Sequence, residues 1–268
     1  MKNRKFLRIA IFYGWIFIAC VPLLVLAVLT VSTFWPYPAL FPQTISLEYF
    51  NHVFIHNQQT QRAMLTSITL AFVSALIALL IGVPAAKAIA HYQFRGKKII
   101  KILALLPMIM PTIAITMGIQ ISMIRLQLAG TFLGVALVHA LFALPFAIRI
   151  MSNVFQIAGN QLEHQATVLG AHPMLIWRKI TLPQIMPGII AVASISFTIS
   201  ISQYITTLII GGGQIMTITL LLIPHIQGGQ RHIAAVYSVL LIVVASLSLV
   251  IMESILKRYY RLENVWYG

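Results

Sequence analysis

The groups that could carry acid–base or nucleophilic chemistry are scarce in this sequence. Only 4 of the 268 residues are acidic, and there is no aspartate among them. Neither an HExxH pair nor a G-x-S-x-G turn occurs, and no carboxylates are paired for general acid–base work. The single cysteine, Cys20, excludes a disulfide within the chain and a cysteine-based metal site. We therefore predict no catalytic residue, no metal and no cofactor in this chain.

A stripe of polar side chains offers a different kind of chemistry. Ser196, Ser200, Gln203 and Thr207 are spaced by four, three and four residues, which places them on one face of a helix. Their hydroxyl and amide groups could line a translocation path for a hydrophilic solute. Small polar residues also hold helices together in lipid, which is their commoner use. The two interpretations stay open, although Gln203 favours a path because a large amide is costly to leave unpaired in hydrocarbon.

Ionisable side chains within apolar stretches have simple structural explanations. His139 has no acidic neighbour in sequence, so we expect a neutral imidazole bonded to a backbone carbonyl. Lys87 can extend to the lipid headgroups, and Glu253 precedes Lys257 by the spacing of a helical ion pair. The polar stripe has no carboxylate, which favours an anionic, neutral or chelated solute over a bare cation or a polyamine.

These side chains must be positioned by helices in a membrane. The sequence is 60% hydrophobic and 8% charged, and its mean hydropathy is +0.94. In lipid, a long apolar run satisfies its backbone polar groups as a helix of about 20 residues. We predict an all-α integral membrane protein, with residues 1–268 forming a single transmembrane domain. Its six predicted transmembrane helices cover residues 9–31, 63–90, 99–122, 131–151, 185–210 and 233–256.

Basic residues are distributed unevenly between the connections. If the N-terminus is cytoplasmic and the sides alternate, 15 of the 18 Lys and Arg residues fall inside, and only Arg62, Arg125 and Arg231 fall outside. This asymmetry follows the positive-inside rule, so we predict that both termini are cytoplasmic and that the first helix is uncleaved. The net charge of +14 then reflects topology, and no nucleic-acid partner is expected.

The predicted cytoplasmic loop of residues 152–183 has the pattern of a helix, a turn and a second helix. Asn160 is a fair N-cap, and Leu162, Ala166 and Leu169 fall on one side of the first helix. Gly170 can adopt the left-handed conformation that ends it.

Pro173 suits the first turn of the second helix, and Leu182-Pro183 is predicted to end it. A docking site and an interfacial hairpin that merely joins two spans are about equally compatible with this pattern.

At this loop the sequence resembles the permease subunits of type I ATP-binding-cassette importers. Gly170, nine intervening residues, Ile180 and Leu182-Pro183 match the second half of that family's Glu-Ala-Ala signature. The three positions of the Glu-Ala-Ala part are occupied by His164, Gln165 and Ala166, and Glu163 stands one place early. The basic turn of residues 91–97, followed by a span with two prolines, is also similar to the family.

The resemblance implies a complex with a second permease subunit, identical or different, two cytoplasmic ATPase subunits and an extracytoplasmic solute-binding protein in a bacterial inner membrane. It makes the loop the coupling element, carried by Glu163, His164, Ala166, Gly170, Ile180, Leu182 and Pro183. ATP and magnesium are expected on the ATPase partner, since the chain has no G-x-x-x-x-G-K-[ST] loop. An ion-coupled secondary transporter is the alternative, but such proteins use buried acidic groups and internal repeats.

Overall fold

Our computed structural model describes the backbone of residues 2–36 and 38–266, and the side chains of residues 12–36 and 38–258. Helices make up most of this backbone. In chain order they are α1 (Lys2–Thr30), α2 (Glu48–Phe50), α3 (Gln58–His91), α4 (Lys97–Ile109), α5 (Thr112–Arg125), α6 (Phe132–Ala158), α7 (Gln161–Val168), α8 (Pro173–Ile176), α9 (Leu182–Ile201), α10 (Ile205–Gly211), α11 (Ile218–Gln227) and α12 (Arg231–Trp266).

Two wider π-helical turns and one small hairpin complete the described structure. The π turns cover Asn51–Ile55 and Trp177–Thr181. Strands β1 (Ser32–Phe34) and β2 (Thr44–Ile45) pair antiparallel in the long loop after α1. The chain is thus an α-helical membrane protein as predicted, apart from this hairpin.

Five described helices are long and apolar enough to cross a membrane, and a bent pair, α4 with α5, counts as a sixth if it is one span. The five long segments are Phe12–Thr30, Gln58–His91, Phe132–Ala158, Pro173–Ile201 and Arg231–Arg258. All six apolar blocks of the sequence therefore contain helix. The third, fourth and fifth differ most from their predictions, and the apolar helix α11 was missed.

The third block is not one straight helix. The helix direction bends by 111° between α4 and α5, at Met110 and Pro111. Met110 has an extended backbone with ψ 147°, because the proline ring that follows clashes with a helical conformation at this position. The expected single span of residues 99–122 is therefore wrong in shape.

The fourth predicted helix, α6, continues past residue 151 to Ala158. Residues 152–158 are therefore helical and, contrary to the prediction, do not belong to the loop. The extension of α6 is stabilised by burial, since Phe155 and Met151 are almost fully buried beside Ile185. Apolar side chains at helical spacing keep the helix going where the sequence suggested a loop.

The fifth block also differs from its prediction. Leu182-Pro183 does not end a helix, because α8, the second π turn and α9 run on as one segment, Pro173–Ile201. The π turn accounts for this: Leu182 N–H bonds to the carbonyl of Trp177, five residues back. Such a wider turn relieves the clash that a proline makes with the preceding turn of an ordinary α-helix. At the other end, α9 stops at Ile201, and α10 begins at Ile205.

The chain divides into two units, and each has its own core. Unit 1 comprises residues 1–64 and 218–243. Val53, Ile218 and Val236 are buried in its core. Here the hydroxyl groups of Thr60 and Tyr237 are 2.9 Å apart, so the two buried side chains satisfy each other.

Unit 2 comprises residues 65–217 and 244–268 and is organised around α6. α6 packs along α9 and also contacts α4 and α10. Close approach depends on glycine: a Cβ on Gly82 would lie 2.7 Å from Ala147 Cβ, and one on Gly188 would lie 2.8 Å from Val154 Cγ2. Small residues let helices pack closely in lipid, where no hydrophobic effect drives them together.

Candidate functional site

The loop between α6 and α9 is a defined structure whose turn depends on glycine. Gly170 has φ +81°, which L side chains rarely adopt. Its N–H bonds to Thr167 O at 3.0 Å, and Ala171 N–H bonds to Ala166 O at 3.0 Å. These two bonds satisfy the carbonyls that the end of α7 leaves free. The predicted left-handed position of Gly170 is thus present.

The helix starts in this loop are capped differently from the expectation. Asn160 precedes α7 as predicted, but its side chain makes no cap hydrogen bond. Its carbonyl instead accepts the His164 N–H at 3.0 Å. At α8, Pro173 stands in the first turn and His172 is the cap, with Met174 N–H donating to His172 Nδ1 at 3.3 Å.

Glu163 fastens the first helix of the loop to the rest of unit 2. Lys87 Nζ of α3 lies 2.7 Å from Glu163 Oε2 and 2.9 Å from Oε1. Thr181 Oγ1 donates to Glu163 Oε1 at 2.6 Å. Lys87 Nζ also lies 5.6 Å from the centre of the Trp177 ring, a cation–π distance. One carboxylate therefore joins α3, α7 and the π turn.

The contact between Lys87 and Glu163 corrects the expectation that Lys87 extends to lipid headgroups. The ammonium group is drawn to the loop because Glu163 offers a carboxylate and Trp177 offers a ring face at the end of α3. The two partners lie 76 residues apart in sequence, so no local pattern could reveal them. The ion pair that the sequence did predict is confirmed, since Lys257 Nζ lies 2.6 Å from Glu253 Oε1 on the surface of α12.

The environment of Glu163 favours its ionised form. Burial raises the pKa of this carboxyl group, but the hydrogen bonds donated by Lys87 and Thr181 and the charge of Lys87 together outweigh burial. The pKa of Glu163 therefore lies below the ordinary value for glutamate.

A carboxyl group whose pKa is lowered on folding stabilises the folded state above its unfolded pKa, about 4.3 for glutamate. That stabilisation is lost as the pH falls through the lower folded value. We expect the pKa of Glu163 in the native protein to lie below that of an ordinary glutamate. In Lys87→Met its midpoint should move upward, because burial remains while the main counter-charge is gone. Isotope-edited infrared or ¹³C NMR titration of the carboxyl group measures both midpoints, and equal midpoints would contradict the contact.

The same loop carries an apolar surface that is open in this chain. Val168 and Leu169 are 87% and 86% exposed, and Leu162, Met174 and Leu175 are more than half exposed. No residue of α7 is buried. Exposed apolar patches of this kind mark surfaces for a protein partner or a membrane.

The predicted coupling residues divide between the inside and the outside of the loop. Gly170 and His164 are exposed, whereas Glu163, Ala166, Ile180, Leu182 and Pro183 are partly buried. The partly buried side chains thus contribute to positioning the loop. The exposed apolar side chains beside them, which are not among the predicted coupling residues, form its outer surface. Their coupling role stays a prediction.

The predicted polar stripe lies against α6. Ser196, Ser200 and Thr207 are buried, and Gln203 is partly exposed. They do not lie on one continuous helix, because the chain breaks between Ile201 and Ile205. Their role in a translocation path stays a prediction. Ser200 and Thr207 contact α6 through His139, and Ser196 Oγ has no hydrogen-bond partner among the described residues.

His139 in α6 bridges the two sides of that break. Its Nδ1 lies 2.9 Å from Ser200 Oγ, and its Nε2 lies 3.0 Å from Thr207 Oγ1. Thr207 Oγ1 donates to the carbonyl of Gln203 at 2.8 Å, so it must accept from Nε2–H, and Nδ1 accepts from Ser200. The expected partner of His139, a backbone carbonyl, is therefore wrong; two hydroxyl groups take its place.

Among the residues that the structure describes, no cluster of His, Cys, Asp or Glu could hold a metal ion.

Solved structures identify the class of this fold. The chain matches a permease chain of a bacterial ABC transporter that imports alginate with a TM-score of 0.71, 16% identity and coverage of 97% of this chain and 98% of that chain. It matches a chain of the MetNI methionine ABC transporter with a TM-score of 0.62 and 17% identity over 75% of this chain and 96% of that one. The fold is therefore shared with these ABC transporter chains.

The family follows from the sequence itself. Residues 78–261, more than half of the chain, match the family described as "Binding-protein-dependent transport system inner membrane component". The chain belongs to this family, the permease subunits of ABC importers, and the resemblance inferred from the loop is confirmed.

Curated relatives cover most of the chain. The molybdenum transport system permease protein ModB of Mycobacterium tuberculosis is 30% identical over 207 residues, which is 72% of this chain and 78% of that protein. A putative 2-aminoethylphosphonate transport system permease protein, PhnV of Salmonella typhimurium, is 26% identical over 88% of this chain and 89% of its own length. The spermidine/putrescine permease PotC of Haemophilus influenzae is 27% identical over 80% of this chain and 82% of its own length.

Proposed function

We propose that this chain forms half of the translocation pathway of an ATP-driven importer and receives the force of ATP hydrolysis at the loop of residues 160–183. The proposal rests on an apolar surface of this loop, exposed at Val168 and Leu169. The loop is attached to α3 by the ion pair between Glu163 and Lys87. A surface of this kind requires a partner, and a rigid attachment is what transmits a movement.

The attachment suggests how movement passes from the loop to the spans. Glu163 connects α7 to Lys87 in α3, and the segment from Pro173 to Ile201 continues from the loop into a span without interruption. A displacement of the loop would therefore move α3 and α9 together. In this proposal the ATPase dimer displaces the loop as it closes and opens, which biases the spans between two states.

The proposed partners are a second permease subunit, two cytoplasmic ATPase subunits that carry ATP and magnesium, and a solute-binding protein. Both termini are proposed to face the cytoplasm, because that arrangement places 15 of 18 basic residues inside. Among the solved relatives, one alginate importer structure is described as a complex with an alginate pentasaccharide-bound periplasmic protein.

The proposed solute is small and hydrophilic, and anionic, neutral or chelated rather than a bare cation or polyamine. The support is the polar stripe, which offers hydroxyl groups and one amide but no carboxylate. The names of the relatives do not select a charge, since they include an aminophosphonate and a polyamine permease.

Purification of the chain in detergent from its native membrane tests the proposal. We expect an ATPase subunit to co-purify, and we expect its ATP hydrolysis in proteoliposomes to rise when the solute-binding protein is added. A stable preparation that transports solute on an imposed ion gradient, with no nucleotide and no ATPase present, would establish the secondary-transporter alternative instead.

Gln203→Leu tests the polar stripe separately. We expect solute uptake to fall several-fold while the complex assembles normally, because the side chain beside the α9–α10 break loses its amide. Ser202→Ala is the matched control, since Ser202 is exposed and its hydroxyl bonds only to carbonyls of its own helix. Unchanged uptake in Gln203→Leu would indicate that Gln203 holds helices together and does not line the path.

A further inference from the structure

A second polar site in unit 2 lies outside the coupling loop. A pocket of about 230 Å³ is formed between the end of α3, the start of α4 and the second half of α6. Its polar lining consists of Lys101, Arg149, Ser152, Asn153 and Gln156. No carboxylate is among its lining residues, so the positive charges of Lys101 and Arg149, two exposed residues, are not balanced by a residue of the pocket.

The basic residues of this pocket have no counter-ion within the described part of the chain. The ion pairs found there are Lys87–Glu163 and Glu253–Lys257, and neither includes Lys101 or Arg149. The start of α4 makes the imbalance larger, because its first turn is basic and contains no acidic residue. The amino-terminal end of a helix is itself partly positive, so an anion near the start of α4 would be favoured by the helix as well as by the lysines.

Ser152 points to the same kind of ligand. Only 8% of the surface of this residue is exposed, and its Oγ has no hydrogen-bond partner among the described residues. Buried hydroxyl groups are normally paired, so this hydroxyl is available to donate a hydrogen bond to a ligand in the pocket. A phosphate oxygen would accept this hydrogen bond, and an arginine beside it suits the fork geometry with which guanidinium binds phosphate.

The remaining walls indicate that the ligand is amphipathic. Leu105 and Ile148 line the pocket beside the charged groups. On α4, lysines alternate with exposed Ile99 and Ile100 up to Lys101, and the helix is apolar from Ile102 onward. A change from basic to apolar along a membrane helix marks the depth of the lipid headgroups.

We propose that this pocket binds the phosphate group of an anionic phospholipid, with Lys101 and Arg149 neutralising its charge and Ser152 donating a hydrogen bond. The apolar walls then hold the glycerol and the first part of the acyl chains. This site is separate from the coupling loop and does not depend on the proposed function.

Native mass spectrometry of the purified complex tests the site. The complex is incubated with phosphatidylglycerol or with zwitterionic phosphatidylethanolamine, and the bound lipid is counted. We expect Lys101→Gln/Arg149→Gln to lower phosphatidylglycerol retention by about tenfold or more, because two basic residues near an anionic headgroup are lost. Ser152→Ala should lower it by a smaller factor.

Arg95→Gln/Lys98→Gln is the matched control: it removes the same charge from exposed residues nearby that do not line the pocket. Lys101→Arg/Arg149→Lys keeps the charge and should retain lipid, which separates lost binding from lost folding. Equal retention in the double variant and the control would overturn the proposal. Displacement of the lipid by millimolar inorganic phosphate would also overturn it and would identify a free anion as the ligand. Loss of a protein subunit from the double variant, with lipid retention unchanged, would overturn it as well and would identify a protein docking surface.

Discussion

Gly170→Val should abolish ATP-driven uptake, or reduce it by more than tenfold, while the chain still inserts in the membrane. At φ +81° an L residue is strained by roughly 1–2 kcal/mol, and a β-branched side chain by more. The strain opens the two hydrogen bonds that end α7 and turns its apolar surface away from α8. Uptake in proteoliposomes and the amount of ATPase that co-purifies are the two measurements.

Gly213→Val is the control for this prediction. Gly213 has a closely similar φ of +78°, and a Cβ there would also meet nothing within 4 Å. The two variants thus introduce the same backbone strain in different loops of unit 2. If both lose uptake equally while ATPase subunits still co-purify, the effect is general destabilisation and the special role of the Gly170 turn is wrong.

Lys87→Met should weaken coupling by about 2- to 30-fold, the range expected for a residue that links two sites through about 0.5–2 kcal/mol. The variant removes the ammonium group that fastens α7 to α3 and leaves the partly buried Glu163 with Thr181 as its remaining side-chain partner. We expect ATP hydrolysis to continue but to respond less to the solute-binding protein. The ratio of solute transported to ATP hydrolysed measures this directly.

The chain contains its own control for the loss of an ion pair. Lys257 and Glu253 form a pair with side chains 75% and 61% exposed, against 24% and 20% for Lys87 and Glu163. Exposed pairs contribute little, so Lys257→Met should leave coupling unchanged. The charge reversal Lys87→Glu/Glu163→Lys should restore part of the ratio of solute transported to ATP hydrolysed. If this variant assembles normally but the ratio stays low, the contact between the two side chains has no role in coupling.

The sequence predicted the membrane helices well because apolar runs and basic connections are local signals. Helix ends were less predictable. The break at Pro111 could be anticipated as a kink but not as a bend of 111°, and Pro183 was misread because a proline ordinarily stops a helix. The π turn that accommodates Pro183 depends on how Trp177 and Leu182 bond across five residues, which no composition or spacing reveals.

The candidate site was predictable only in part. Gly170 was found because its left-handed turn has a sequence signature, and Glu163 was found through resemblance. Its partner Lys87 and the two hydroxyl partners of His139 come from distant segments, at separations of 61 to 76 residues. Such pairs form where α3 meets α7 and where α6 meets α9 and α10, so they become visible only in three dimensions.

Photo-crosslinking from the loop surface is the most direct test of the central claim that residues 160–183 receive the ATPase subunit. A photoreactive amino acid replaces Leu169, which is 86% exposed, and in a matched sample it replaces Ile157, which is 87% exposed at the end of α6. We expect irradiation of native membranes to join Leu169, and not Ile157, to a soluble ATPase subunit, with a yield that changes when ATP is added. A Leu169 product containing only lipid or a second copy of this chain, in membranes where the ATPase is present, would contradict the account.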